Sequence, residues 1–477
     1  MAARPVRGAR AGAARGGGAA GRGHPQPLIP SFHRPPPPLL QDATMFGYYC
    51  KLALHSFGRN RLLTALMVLA IAVGIGASMT TLTVFHVLAA DPIPGKSGQL
   101  FNVELNVEPD DRYDPNDTDP QQLTRRDAEA LLRDRRGDRQ AMMSAGSVTV
   151  VPAQPQLTPF GAEARYTSAD FFPMFAVPMR YGHAWTADDD ARRARVAVIS
   201  RRLNTQLFGD VDSVGRQLQL GDAVLRVVGV IDVWDMNPRF YDLTNTEYGD
   251  SEDVFVPFST ARDLDLDVSG SMSCWGDHAG NRTSANAPCA WIQYWVELDS
   301  PGKRAAYLDA LQAYARQQRD AGRFRHPPDI RLSDVMTWLD RNHAVPSDVR
   351  LQVGLALAFL GICLLNTAGL MLAKFLRHSG EIGVRRALGA SQWTIFAQHL
   401  IEAAAIGLAG GAGGLLLAWI GTWLVRQQPA DYAALAHLDS RMLLLALAMS
   451  LGSALLAGLL PAWQAMRVST ALQLKSQ

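Results

Sequence analysis

Serine, lysine, histidine, cysteine and carboxylate side chains occur throughout this 477-residue sequence, and their spacing decides what chemistry each group can perform. Gly389-Ala390-Ser391 opens like the G-x-S-x-G turn that presents a serine nucleophile. Trp393 stands where the closing glycine belongs and no strand precedes it, so Ser391 reads as a helix cap. Gly95-Lys96-Ser97 carries the ending of a phosphate-binding loop. Ala90 occupies the position that needs glycine, and the site follows an apolar helix instead of a strand. His183, His278 and His343 lack the paired spacing of a zinc site, and the acidic run Asp110, Asp111, Asp114, Asp117 and Asp119 lacks the glycine of a calcium loop. No catalytic, cofactor-binding or metal-ligating residue is therefore assigned. Two polar residues inside apolar stretches, Asn366 and Glu402, are candidates of another kind, because such groups in a membrane mark hinges or pathways. Glu402 is expected to hold a basic residue of the preceding segment, Arg385 or Arg386.

The elements that would position these residues follow from where charge is missing. Lys and Arg total 46 against 44 Asp and Glu, a net of +2 that gives no reason to invoke nucleic acid. Residues 62–90 contain no Asp, Glu, Lys or Arg and exceed the roughly 20 helical residues that cross a bilayer, so they form a first span with a projecting stalk. Further spans are expected at 349–373, 395–425 and 442–463. Lys51, Arg59 and Arg61 precede the first, Lys374, Arg377, Arg385 and Arg386 follow the second, and Arg467 and Lys475 follow the fourth. Positive charge stays on the cytoplasmic side, which places both termini there. Residues 91–348 then lie outside, with a short second outer loop at 426–441. Residues 45–61 suit an interfacial amphipathic helix, residues 464–477 a cytoplasmic end. Residues 1–44, rich in Ala, Gly, Arg and Pro, read as a disordered tail or as sequence upstream of a true start at Met45; the proline run disfavours a transit peptide.

The fold class expected is an α-helical membrane protein with four transmembrane helices and a large mixed α+β extracytoplasmic domain between the first and second. Strands are expected at 148–151, 196–199, 254–258 and 291–298. A hairpin turning at Gly221-Asp222 and a helix over 304–324 complete the pattern. Residues 333–350 would lead into the second span as half of a stalk, with a break at Pro346. Cys274 and Cys289 fall in this outer domain, where an oxidising compartment permits a disulfide between them. The glycines at 407, 410, 411, 413 and 414, with Gln352 and Asn366, suit close helix packing or a dimer seam.

Glu381, Ile382, Gly383, Arg385, Ala387, Gly389, Ala390 and Ser391, followed by Glu402, resemble the signature of the MacB/FtsX permease superfamily. Pro461-Ala462-Trp463 with Ala465 and Arg467 is similar to the motif that closes that family's last helix. In the outer segment, Phe171-Phe172, Pro178, the strand Val196 to Ser200, Leu207-Phe208-Gly209-Asp210, Val214-Gly215 and Val227 to Val230 resemble the MacB periplasmic core. The resemblance implies a multi-pass protein of the bacterial inner membrane that works as a dimer of permease subunits, homo- or heterodimeric. It implies cytoplasmic ABC ATPase subunits that bind ATP and Mg in place of this chain, and a periplasmic adaptor is left open. It also implies coupling of ATP hydrolysis to periplasmic movement, called mechanotransmission, for extrusion of a peptide, lipid, lipoprotein or drug-like molecule. The alternative is an FtsX-like signalling protein that regulates a periplasmic enzyme without cargo.

The residues themselves support a mechanical contact. Across 374–394, a short helix would carry Ile382, Val384 and Leu388 as knobs, with Glu381, Arg385 and Arg386 fixing orientation and Gly383 between them. Gly389 would end it in a left-handed cap. The bland alternative is a loop whose arginines meet anionic lipid.

Overall fold

Apolar composition and a length of 28 residues, roughly 42 Å at helical rise, make α1 (Arg61–Leu88) long enough to cross a membrane. This computed structural model describes residues 61–107, 122–154, 156–245, 247–276, 280–325, 329–377, 379–429 and 433–467. The expected tail, the interfacial segment short of Arg61, the acidic loop at 110–119, His278 and the residues after 467 lie outside them.

Beyond α1 the chain builds β1 (Leu100–Leu105), β2 (Leu123–Thr124), α2 (Arg125–Asp134) and β3 (Arg139–Val151). It continues through β4 (Phe160–Thr167), β5 (Met179–Gly182), β6 (Val196–Ser200), α3 (Arg201–Phe208), β7 (Gln217–Leu220), β8 (Ala223–Ile231) and β9 (Val254–Pro257). Then come β10 (Ser273–Cys274), β11 (Cys289–Glu297), α4 (Pro301–Asp320), β12 (Ile330–Asp334) and α5 (Val335–Arg341). The chain ends in α6 (Ser347–Arg377), α7 (Ser379–Ala387), α8 (Gln392–Val425) and α9 (Ser440–Arg467). With α1, the helices α6, α8 and α9 make four that are long and apolar enough to span a membrane.

Strand pairing divides the outer domain into two units that share β3. The order β12-β1-β11-β3 is antiparallel throughout, with α2 and α4 as connections, which is the ferredoxin-like split βαβ arrangement. Between β3 and β11 in the chain is inserted a ring of pairings, β3-β4-β9-β6-β8-β7, that closes when Val150 and Val151 of β3 meet Leu220 and Gln219 of β7. Closure removes free edges and wraps small and branched residues such as Ala164, Ala197, Val227 and Val256 around one core. Gly146 is required there, because a Cβ on it would fall 2.3 Å from the Tyr166 ring. The β7–β8 hairpin turns at Gly221-Asp222 with Leu220 opposite Ala223, and Gly221 takes φ 55°, a conformation that favours glycine.

The other face of the ferredoxin-like sheet carries an aromatic cluster in which Phe171, Phe175, Trp234, Phe240, Tyr241, Trp295 and Trp338 meet mostly edge to face. Beside it Arg165 and Glu252, both fully buried, bond to each other. Asp242 lies 2.7 Å from Arg165, and the Tyr241 hydroxyl donates to Glu252 at 3.1 Å. Burial works against the Arg165 charge, yet Glu252 and Asp242 hold its guanidinium above its ordinary value.

The segment 333–350 departs from the expected stalk helix. Ser333 and Asp334 finish β12, whose partner is β1, and α5 then packs Trp338 and Leu339 into the aromatic cluster. The chain breaks at His343, with φ 53°, before α6 starts at Ser347. Helix α4 begins at Pro301 and ends at Asp320, earlier than 304–324, because Pro301 occupies the first helical position and Gly322 turns left-handed. Pro461 sits inside α9, which runs on to Arg467.

Within the bundle α8 lies against both α1 and α9. A Cβ on Gly414 would come within 2.8 Å of Ile75, and one on Gly407 within 2.0 Å of Ala454, so both glycines are taken up by packing inside the chain. Leu88, Val345, Val349 and Tyr248 form a small apolar knot where α1 and α6 meet the outer domain, and the Tyr248 hydroxyl donates to Ala344 O.

Candidate coupling site

Helix α7 is built from a nine-residue segment with Glu381 in its first turn and Arg385 and Arg386 in its last, a placement that favours its dipole. Leu388 N–H donates to Val384 O and Gly389 N–H to Arg386 O, while Gly389 takes φ 99° and ends the helix. Ser391 then caps α8, its hydroxyl accepting from Thr394 N–H at 3.1 Å.

The side chains of this connection divide by exposure. Ile382, expected as a knob for a partner, is buried among Phe375, Ile395 and Met371 and anchors α7 to its own bundle. Val384 and Leu388, one turn apart on the same face, are exposed, and Leu388 at 82% is nearly free of contact. Trp393, which the sequence reading passed over, is 71% exposed just past the cap, its ring stacked on Phe396 at 5.1 Å. Its signal was available: a large aromatic residue directly after a helix cap in a basic connection. Gly383 is half-buried and Arg385 is exposed, its guanidinium donating to Gln398 at 3.0 Å.

Behind this surface lies a buried ionic cluster. Glu402 is buried, and a basic residue that meets it is Lys374, at the end of α6; both side chains are under 10% exposed. His399 Nδ1 stands 3.6 Å from the second carboxylate oxygen, with its ring 4.1 Å from that of Phe375. Lys374 precedes the connection and Glu402 follows it, so the pair ties α6 to α8 across α7. Asn366 lies elsewhere, exposed on α6, and is not part of this cluster.

In the outer domain Cys274 and Cys289 are joined by a disulfide between paired positions of β10 and β11. Lys96 donates to the carbonyls of Pro173 and Met174 and pairs with Glu297 at 3.3 Å, which makes it a structural tie. His183 Nδ1 contacts Ala184 O at 2.8 Å. Among the described residues no group of three or more His, Cys, Asp or Glu is arranged to hold a metal. Asp190 accepts from Ala169 N–H at 2.8 Å, and burial pushes its carboxyl up to about 7.

The MacB-like periplasmic core domain family matches residues 64–314, and the FtsX-like permease C-terminal family matches residues 353–470. Among curated proteins the chain is 27% identical over 345 residues to a macrolide export ATP-binding/permease protein MacB of Marinobacter nauticus, covering 69% of this chain and 47% of that one. It is 26% identical over 252 residues to the pyoverdine export ATP-binding/permease protein PvdT of Pseudomonas entomophila, covering 52% of this chain and 34% of that protein. The chain thus spans about half, or less, of the length of these relatives. The crystal structure of the periplasmic region of MacB from Actinobacillus actinomycetemcomitans aligns over 51% of this chain and 92% of its own, with 15% identity and a TM-score of 0.33. The first family match alone takes in more than half of the sequence and the second takes in α6 through α9, so the chain belongs to the MacB/FtsX-type ABC transporter permeases.

Proposed function

We infer that this chain is the non-catalytic membrane subunit of an export system, converting ATP hydrolysis on a partner polypeptide into movement of its periplasmic domain. The partner seats on the exposed face of α7 and the start of α8, with Val384, Leu388 and Trp393 as apolar knobs and Glu381, Arg385 and Arg386 setting orientation. The ATP and Mg belong to that partner. The chain lies in the inner membrane as a multi-pass protein with both termini cytoplasmic, and a second permease subunit completes the assembly.

One observation carries the mechanical reading. The strands reached from the two stalk helices, β1 after α1 and β12 before α6, are neighbours in the sheet, paired from Phe101–Asp334 to Leu105–Ile330. A change in the angle between α1 and α6 therefore bears on two adjacent strands. Arg341 of α5 also bonds to buried Glu104 of β1, tightening that link. The relatives named for macrolide and pyoverdine export support an amphiphilic cargo of drug-like, peptide or lipid character. The extent of the match to the MacB-like core supports export over a purely signalling role.

The test reverses charge at Arg385 and Arg386 together, both to Glu, and adds Trp393→Ala as a second variant. Both proteins are expected in the membrane at normal levels while losing co-purification of the ATPase and its stimulated hydrolysis. Undiminished capture of the ATPase would remove the assignment.

A further inference from the structure

A notch opens where the bundle meets the outer domain. It holds about 150 Å3 and is walled by Leu88, Ala89 and Ala90 at the end of α1, by Leu339 on α5 and by Val345 in the elbow before α6. Asp340 and Arg350 line it too. The alanines leave space that larger side chains would fill. An apolar cavity of about this volume stays dry and accepts a benzene ring, so carbon suits it better than water.

Its height above the bilayer follows from α1. The hydrocarbon takes roughly 20 helical residues, so a helix that enters at Leu62 leaves it near Leu82. Leu88 stands about 9 Å farther out, and the walls at that height are still apolar. On α6, Arg350 is the last charged residue before the uncharged run 351–373, which sets it at the level of lipid headgroups. Met336 of α5, 40% exposed, adds a flexible apolar side chain to the rim. The notch therefore carries apolar surface beyond the leaflet, beside two charges.

Those charges are of opposite sign and face each other. Arg350 Nη2 donates to Asp340 Oδ1 at 2.7 Å, with 48% and 73% of the two side chains exposed. Among the described residues no other hydrogen bond or ion pair engages either side chain. The second carboxylate oxygen and most of the guanidinium N–H groups are left for a ligand. An exposed pair of this kind adds little to stability. Here it sets an acceptor beside a forked donor, the complement of a head that carries an ammonium next to a phosphate.

We propose that the notch binds a zwitterionic amphiphile from the leaflet on the outer-domain side, its upper chain segment against the apolar walls and its phosphoethanolamine-type head across Arg350 and Asp340. The rest of the chain stays in the hydrocarbon. The ligand thus stands higher than a lipid of the bulk bilayer without exposing its apolar part to water. A pure anion is opposed by Asp340 and a pure cation by Arg350, whereas a head of both signs meets both. Because the walls come from α1, α5 and the elbow before α6, an occupant bears on the angle at which α6 leaves the outer domain. The site requires the four spans and is independent of how α7 meets its partner.

The test uses the full-length chain in phosphatidylglycerol nanodiscs and a single-chain phosphoethanolamine lipid that carries a photoreactive diazirine high on its chain. Saturable labelling is expected on the peptides that contain Leu88 to Ala90 and Met336. Asp340→Asn and Arg350→Gln are each expected to raise the midpoint roughly tenfold, and Ala90→Phe, which fills the notch, to abolish labelling. The phosphoglycerol analogue, an anion without the ammonium, is expected to label the parent more weakly and to gain from Asp340→Asn. Equal labelling by the two lipids overturns the zwitterionic assignment. Labelling spread along the lipid-facing side of α6 and unmoved by Ala90→Phe overturns the site, as does the absence of saturation. Asp340→Asn lies on the surface and is expected to melt within about 2 °C of the parent, so it decides the question even where Ala90→Phe fails to fold.

Discussion

Replacing Glu402 by Gln removes the carboxylate that Lys374 meets inside the helix bundle, and the burial of the pair sets the cost. Both side chains are nearly inaccessible, at 6% and 9% of their surface, so neither can turn to water without opening the contact between α6 and α8. Removing one member of such a buried pair costs about 3–5 kcal/mol, whereas replacing both by apolar residues of similar size is close to neutral. At roughly 2–4 °C per kcal/mol for an element of this size, Glu402→Gln should lower the melting temperature by about 6–20 °C. The double variant Lys374→Met with Glu402→Leu should recover most of that loss. Tryptophan fluorescence of the detergent-solubilised protein during heating reads both values. A single-variant shift below about 2 °C, or a double variant as unstable as the two singles summed, would refute the claim that this pair ties α6 to α8.

Two further outcomes follow from the outer domain. Burial raises the Asp190 carboxyl to about 7, so between the unfolded value near pH 4 and that point the unfolded chain releases a proton that the folded one keeps. Stability therefore falls as pH rises through this window and levels above it, by at most roughly 4 kcal/mol; Asp190→Asn, which still accepts from Ala169 N–H, should show a flatter pH dependence in chemical unfolding, and an unchanged slope would count against it. Cys274→Ser opens a loop of 15-residue separation and should cost about 3 kcal/mol of unfolding free energy, read as a lower denaturant midpoint. Intact mass without reductant should show the parent protein with both of these thiols oxidised, and two free thiols would end that assignment.

Some of this was legible because the signal is local. Four charge-poor runs each longer than a bilayer, alternating β residues and the Gly221-Asp222 turn announce their elements wherever they stand. Gly389 and Ser391 likewise announce the end of one helix and the start of the next. The two glycine-bearing faces of α8 were visible as a composition, but not as a choice between packing within the chain and packing between chains. Ile382, Val384 and Leu388 looked alike as apolar residues of an amphipathic helix. Only the docking of α7 on the bundle turned Ile382 inward and left the other two outside.

The sequence by itself determined that the chain crosses the membrane, where its positive charge gathers and which short segment joins the second span to the third, because hydropathy and helix caps act over a few residues. The tertiary structure decided what depends on distant neighbours. It paired Glu402 with Lys374, 28 residues back in the chain, closed β3 onto β7, and set β1 beside β12 so that both stalk helices reach one sheet edge. Pairing partners and exposed faces arise from packing of elements far apart in sequence, and no local period encodes them.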